Sequence, residues 1–116
     1  MLAEGIVYVG SRDHRLYALD ARTREEYWDY TTGGLIDSSP VVADGVVCIG
    51  SQDHTLYALN ARLGEKFWSY TTGGAIISSP TVVNGVVYVG SNDRSLYAFN
   101  HLAISSAITV VLQEGS

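Results

Sequence analysis

Cysteine is nearly absent from this chain: Cys48 stands alone among 116 residues. A single thiol excludes an internal disulfide framework and any cysteine-rich zinc site. Proline occurs only at Pro40 and Pro80, and seven basic residues face twelve acidic ones. The net charge of −5 argues against a surface for nucleic acid or another polyphosphate. No apolar run approaches the ~18 residues of a membrane-spanning helix. The first residues show no basic stretch leading into an apolar one, so the sequence predicts no secretion signal and leaves the compartment open. No segment carries helical periodicity. Length is also limited: 116 residues bound one small domain with one core.

What is abundant is apolar and turn-forming. Apolar residues make up 47% against 16% charged, which places the chain among globular rather than disordered sequences. Twelve Gly point to many tight turns, and eight Tyr dominate the aromatics. The strongest signal is an internal repeat. Residues 5–44 and 45–84 align without a gap, with 24 identities over 40 positions. Residues 85–100 continue as a third copy, matching residues 45–60 at 10 of 16 positions.

The unit reads as four short strands. Val46-Val47-Cys48-Ile49 is a continuous apolar run, as expected of a strand covered on both faces. Leu56-Tyr57-Ala58-Leu59 follows. Glu65 to Tyr70 alternates, which puts Trp68 and Tyr70 on one face. Ser79-Pro80-Thr81-Val82-Val83 completes the set. Asp44-Gly45 and Asn84-Gly85 are two-residue hairpin turns, with Gly45 and Gly85 supplying a positive φ. Gly10-Ser11-x-Asp13, repeated at Gly50 and Gly90, reads as a turn capped by its own aspartate. Gly64 closes a further turn in the left-handed region, where the first copy has Arg24 at a cost on the order of 1 kcal/mol. Thr71-Thr72-Gly73-Gly74 is a longer connection into the next unit.

Four strands in about 40 residues is the size of one β-propeller blade. The expected fold is all-β: about three blades of four antiparallel strands, a partial propeller completed by oligomerisation. The first strands are expected at 37–43 and 78–83, the second at 6–10, 46–50 and 86–90. The third are expected at 16–20, 55–60 and 95–100, the fourth at 25–31 and 65–71. The chain would thus begin at the second strand of its first blade.

Val86-Val87-Tyr88-Val89-Gly90-Ser91-x-Asp93, followed by Leu96-Tyr97-Ala98-Phe99-Asn100, resembles the PQQ-like (quinoprotein-type) β-propeller repeats. Ala58, Asn60, Gly64 and Trp68 occupy places of that family's tryptophan-docking motif, with Leu63 departing from the usual Thr. In the first copy Ala18, Asp20, Thr23 and Trp28 match, and Arg24 departs. The resemblance covers residues 5–100. It implies that Trp28 and Trp68 pack between neighbouring blades, where a large flat side chain buries the most area. It also implies rings of seven or eight blades, so this chain supplies fewer than half. Roles in the family include quinone-dependent dehydrogenases, scaffold lipoproteins of outer-membrane assembly and ligand-sensing domains, often outside the cytoplasm.

Beyond Asn100 the repeat breaks, in a divergent tail of residues 101–116. Residues 104–111 resemble Ile77 to Val83 with one insertion, which predicts a spare copy of a blade's first strand. Such a strand would complete the first blade of a partner chain and bring the total to eleven. A strand over 108–112 on the free edge of the third blade is the alternative.

No residue pattern points to catalysis. Asp13, Asp53 and Asp93 recur once per blade, too far apart to converge on one calcium ion, and are expected to cap their turns. His14 and His54 are separated by the same logic. Cys48 lies inside an apolar strand without a basic neighbour and is expected to be inert. With no Cys pair and no complete ring, the sequence predicts neither enzyme activity nor a bound cofactor. The leading expectation is a structural or protein-binding module that forms a homo-oligomer, most economically a homodimer. The alternatives are a piece of a quinone-dependent dehydrogenase and a ligand-sensing propeller domain.

Overall fold

Glu4-Gly5 (φ 51° and 79°), Asp44-Gly45 (51° and 77°) and Asn84-Gly85 (50° and 77°) are left-handed at both positions. That geometry twists in the sense of the strands it joins, so each dipeptide folds a hairpin. The computed structural model describes residues 1–100 and 109–113. The first sheet contains β1 (Leu2–Ala3), β2 (Ile6–Gly10), β3 (Arg15–Asp20) and β4 (Glu26–Thr31). The second contains β5 (Val41–Ala43), β6 (Val46–Gly50), β7 (Thr55–Asn60) and β8 (Lys66–Thr71). The third contains β9 (Thr81–Val83), β10 (Val86–Gly90), β11 (Ser95–Asn100) and β12 (Thr109–Gln113). Each sheet runs in chain order, every pair is antiparallel, and the described residues include no helix. These are three β-propeller blades.

Register repeats as strictly as sequence does. Tyr8 pairs with Ala18, Cys48 with Ala58 and Tyr88 with Ala98. In the outer hairpins Ala18 opposes Trp28 and Ala58 opposes Trp68, each followed by a register shift. The strand period of two then sends alternate residues to opposite faces of a blade. Val47, Ile49 and Leu59 face back to Tyr8, Leu16, Ala18 and Ile36 of the previous unit. Val46, Cys48, Leu56, Ala58 and Trp68 face forward to Val87, Val89, Tyr97 and Phe99. A four-stranded blade is too thin to hold a core of its own. The two hydrophobic clusters therefore lie between blades.

Two expectations are corrected. The first blade does not start at its second strand. Leu2 and Ala3 pair with Val7 and Ile6 as an inner strand, and the Met1 ammonium donates to the Tyr8 carbonyl at 2.9 Å. Leu2-Ala3-Glu4-Gly5 is the counterpart of Val42-Ala43-Asp44-Gly45, a match too short to register against the rest of the repeat. Of the two readings of the tail, the spare inner strand is not what the structure shows, and the strand on the free edge of the third blade is, over Thr109–Gln113. β12 lies on β11, with Phe99 opposite Thr109 and Ser95 opposite Gln113, so it is the outer strand of the third blade. The reason is the unpaired edge that β11 presents there, the nearest row of backbone donors and acceptors. The described strands therefore number twelve rather than eleven. Residues 104–108 of the expected spare strand lie outside the described residues.

Candidate functional site

Of the residues singled out by sequence, Trp28, Trp68, Ala18, Ala58, Gly64, Asp53 and Asp93 lie at the two junctions between blades, whereas the described bonds of Asp13 stay within its own blade and Gly45 and Gly85 keep to their hairpin turns. At the first, the Trp28 ring lies over Gly64 of the next blade. A Cβ at Gly64 would sit 2.6 Å from Trp28 Cδ2, so a side chain there would displace the ring. Gly64 also has φ of 76°, a conformation glycine adopts without strain. Trp28 Nε1 donates to the Ala61 carbonyl at 3.3 Å, and the Tyr8 hydroxyl donates to the same oxygen at 2.6 Å. Burial raises the Tyr8 pKa, with Glu4 adding to it. Ala18 and Ala58, opposite the tryptophans, are fully buried. A small side chain at that place leaves room for the indole across the hairpin.

At the second junction Trp68 is buried and packs 5.3 Å, centroid to centroid, from Phe99. Tyr70, two residues on, also meets Phe99 and Tyr97. Trp68 Nε1 has no hydrogen-bond partner among the described residues. The repeat counterpart of Ala61 on that side is His101, outside them. Cys48 takes the place of Tyr8, and burial pushes its thiol up to about 12. A thiol held protonated in this way has no nucleophilic character near neutral pH.

The aspartates do more than cap their turns. Asp13 Oδ1 accepts from the Arg15 N–H at 3.0 Å, Asp53 Oδ1 from Thr55 at 3.0 Å, and Asp93 Oδ1 from Ser95 at 2.9 Å. The other oxygen in each case accepts from a tyrosine hydroxyl: Tyr17, Tyr57 or Tyr97. In the second and third blades that oxygen also reaches back across the junction. Asp53 Oδ2 accepts from the Gly33 N–H at 2.8 Å, and Asp93 Oδ2 from Gly73 at 2.9 Å. The Tyr17 hydroxyl holds the Asp13 carboxyl below its ordinary value. At Asp93 burial acts upward, but the Tyr97 hydroxyl and the Gly73 and Ser95 N–H groups outweigh it and the pKa is lowered.

The Thr-Gly-Gly segments form the other half of this latch, a role the sequence reading missed. Thr32 Oγ1 donates to the His14 and Gly34 carbonyls, and Ser51 of the next blade donates to Thr32 Oγ1 at 3.2 Å. Thr72 and Ser91 repeat the contact at 2.9 Å. A Cβ on Gly34 would lie 2.7 Å from the Asp53 backbone nitrogen, and one on Gly74 2.6 Å from that of Asp93. Also unforeseen, His14, His54 and Arg94 are left-handed, with φ of 76°, 77° and 72°. That turn aims the His14 and His54 carbonyls at Thr32 and Thr72. The available signal was the co-occurrence of Thr-Gly-Gly and Ser-x-Asp in successive repeats.

A cleft of about 410 Å³ opens beside the first junction, between Ala3, Glu4, Tyr8, Val42 and Arg62. Among the described residues, no group of three or more His, Cys, Asp or Glu could hold a metal ion. The carboxylates of Asp53 and Asp93 are each committed to a turn, a tyrosine and a glycine. No helix of the described residues is long and apolar enough to cross a membrane.

Three blades of four antiparallel strands, with a tryptophan over a glycine at the first junction, define the chain as part of a β-propeller. The sequence profile described as outer membrane protein assembly factor BamB matches residues 1–74 and 47–103. The chain belongs to the PQQ-like β-propeller repeat family. Among curated protein sequences, none matches it. BamB from Moraxella catarrhalis superposes with a TM-score of 0.83 at 25% identity, over 99% of this chain and 36% of that one. A europium-containing methanol dehydrogenase does so at 0.78 and 19% identity, over 97% of this chain and 24% of the other. A quinohemoprotein alcohol dehydrogenase from Pseudomonas putida HK5 gives 0.74 at 26% identity, over 85% of this chain and 18% of its own. The chain thus spans about a third or less of the length of each.

Proposed function

We propose that this chain is a non-enzymatic propeller module with a structural or protein-binding role, and that its blades complete a ring with those of a second copy. One observation carries the reading: the same polar latch is built at both junctions, with Asp53 on Gly33 and Ser51 on Thr32 at the first and Asp93 on Gly73 and Ser91 on Thr72 at the second. Three blades do not close on themselves, and the outermost faces this leaves are covered by association. Two copies of three blades make six, within the sizes propellers adopt. The family profile, described as an outer membrane protein assembly factor, supports a role in holding other proteins rather than in chemistry. The commitment of the repeated carboxylates to structure supports it too.

The test is sedimentation of the full chain at micromolar concentration. The expected species has twice the 12.5 kDa chain mass. A well-folded monomer would refute ring completion by a second copy. Stoichiometric uptake of a quinone with calcium, followed by dye reduction with an alcohol or sugar, would refute the non-enzymatic assignment.

A further inference from the structure

Two of the three Ser-x-Asp turns hold a segment of the preceding blade, and both hold it by the same three bonds. At the first junction the Ser51 hydroxyl donates to Thr32 Oγ1 at 3.2 Å, and the Gln52 N–H donates to the Leu35 carbonyl at 2.9 Å. Asp53 Oδ2 accepts from the Gly33 N–H at 2.8 Å. At the second, Ser91 Oγ meets Thr72 Oγ1 at 2.9 Å, the Asn92 N–H donates to the Ala75 carbonyl at 2.9 Å, and Asp93 Oδ2 accepts from the Gly73 N–H at 2.9 Å. The held segments are Thr32-Gly33-Gly34-Leu35-Ile36 and Thr72-Gly73-Gly74-Ala75-Ile76. Space demands the second glycine: a Cβ on Gly34 would lie 2.7 Å from the Asp53 nitrogen, and one on Gly74 2.6 Å from that of Asp93. The isoleucine closing each segment is buried in the cluster that contains Ile49 or Val89 of the receiving blade.

The remaining turn, in the first blade, is built alike and has no blade before it among the described residues. The Ser11 N–H donates to the Arg15 carbonyl at 3.0 Å, as Ser51 does to Thr55 at 3.1 Å. Asp13 Oδ1 accepts from the Arg15 N–H at 3.0 Å, as Asp53 Oδ1 does from Thr55 at 3.0 Å. The Tyr17 hydroxyl sits on Asp13 as the Tyr57 hydroxyl sits on Asp53, and His14 and His54 share a φ of 76° and 77°. The recognition groups are therefore already in the arrangement that holds a segment at the other two turns, so binding need not order them. Among the described residues, the Ser11 hydroxyl, the Arg12 N–H and the Asp13 carboxylate make none of the three outward bonds. Beside them Val9 is 42% exposed, where its counterparts Ile49 and Val89 are 0% and 2%.

We infer that the Ser11-Arg12-Asp13 turn is a binding site for a Thr-Gly-Gly-x-Ile segment of a partner polypeptide. The threonine hydroxyl meets Ser11, the N–H of the first glycine donates to Asp13, and the carbonyl of the fourth residue accepts from the Arg12 N–H. The isoleucine covers Val9. The Thr32 and Thr72 segments of a folded copy of this chain do not fill the site, because its own second and third blades already hold them. The partner is a polypeptide whose segment of this kind is unheld. Selectivity comes from the glycine pair: alanine at the second place meets the turn backbone, as the Cβ distances at Gly34 and Gly74 require. The site is read from the two occupied turns and does not depend on which chain closes the ring.

The probe is a capped peptide with the sequence of residues 70–76, titrated into the isotope-labelled full chain with amide resonances as the readout. Saturable shifts should concentrate on Val9, Ser11, Arg12 and Asp13. The same peptide carrying Gly74→Ala leaves the protein untouched and should bind about tenfold more weakly or worse. Asp13→Asn and Ser11→Ala chains, checked for strand content by circular dichroism, should lose affinity for the original peptide by a similar factor. Equal binding of the two peptides, shifts centred elsewhere, or affinity unchanged in both variants overturns the proposal. Sedimentation of the same samples separates the site from the ring. A monomer that takes up the peptide refutes the ring and leaves the site standing. A dimer whose first turn shows no shift and which the peptide does not loosen refutes the site and leaves the ring standing.

Discussion

Trp68→Ala tests where the stability of this chain resides. If blades are held by burial between them, the largest buried side chain of the second junction is the most informative one to remove. Trp68 packs against Phe99 and lies in a cluster with Leu56, Ile76, Val87 and Val89. Truncating such an aromatic costs about 3–5 kcal/mol, the lost transfer energy plus the cavity that rigid strands cannot fill. Its Nε1 has no partner among the described residues, so no hydrogen bond to them is lost with it. For 116 residues the unfolding entropy near the midpoint is about 0.24 kcal/mol per degree. The melting temperature should then fall by about 12–20 °C, a large part of the total for a domain whose whole stability is about 5–15 kcal/mol. Differential scanning calorimetry measures the shift, and near-ultraviolet dichroism reports loss of the aromatic cluster. Trp68→Phe should recover much of the difference, because a smaller ring still meets Phe99. A Trp68→Ala chain that melts within two degrees of the parent would refute the idea that the junctions hold the fold.

Other outcomes follow from the same geometry. Gly74→Ala places a Cβ 2.6 Å from the Asp93 backbone nitrogen and should cost about 1–3 kcal/mol in a urea titration. Gly45→Ala meets nothing within 4 Å and should cost only the ~1 kcal/mol of a left-handed alanine. Cys48, its pKa raised to about 12, should resist a disulfide reagent at pH 8 in the folded chain and react at once in denaturant. Fast labelling of the native protein would show that the second blade opens. The Tyr27 hydroxyl, with the Thr23 and Arg22 N–H groups, holds the Asp20 carboxyl down at about 2. Its contribution is therefore complete above the ordinary carboxylate value of ~4 and is lost as pH falls through about 2. The melting difference between parent and Asp20→Asn should shrink across that window, and a constant difference would exclude the carboxylate as the source.

The sequence by itself determined the unit and its turns. A 40-residue period, alternating strands and the Asp44-Gly45 and Asn84-Gly85 hairpins are local properties, readable because each is satisfied within a few residues of chain. The recurrence of Trp28 and Trp68 at one place of the unit was legible for the same reason, whereas their pairing with Ala18 and Ala58 came from the structure. What joins one blade to the next was not legible from one repeat. The Asp53–Gly33 and Asp93–Gly73 bonds link residues 20 apart, and nothing in either turn announces the other. The tail is the sharpest case. Its apolar pattern suits an inner or an outer strand equally, because the pleat distinguishes faces and not neighbours. Only the free edge of β11 decided that Thr109–Gln113 pairs there, and with that placed Val110 where the other blades have tryptophan. Strand pairing is a contest among edges distant in sequence. Its outcome depends on which backbone groups are left unpaired once the rest has folded, and this only the tertiary structure decides.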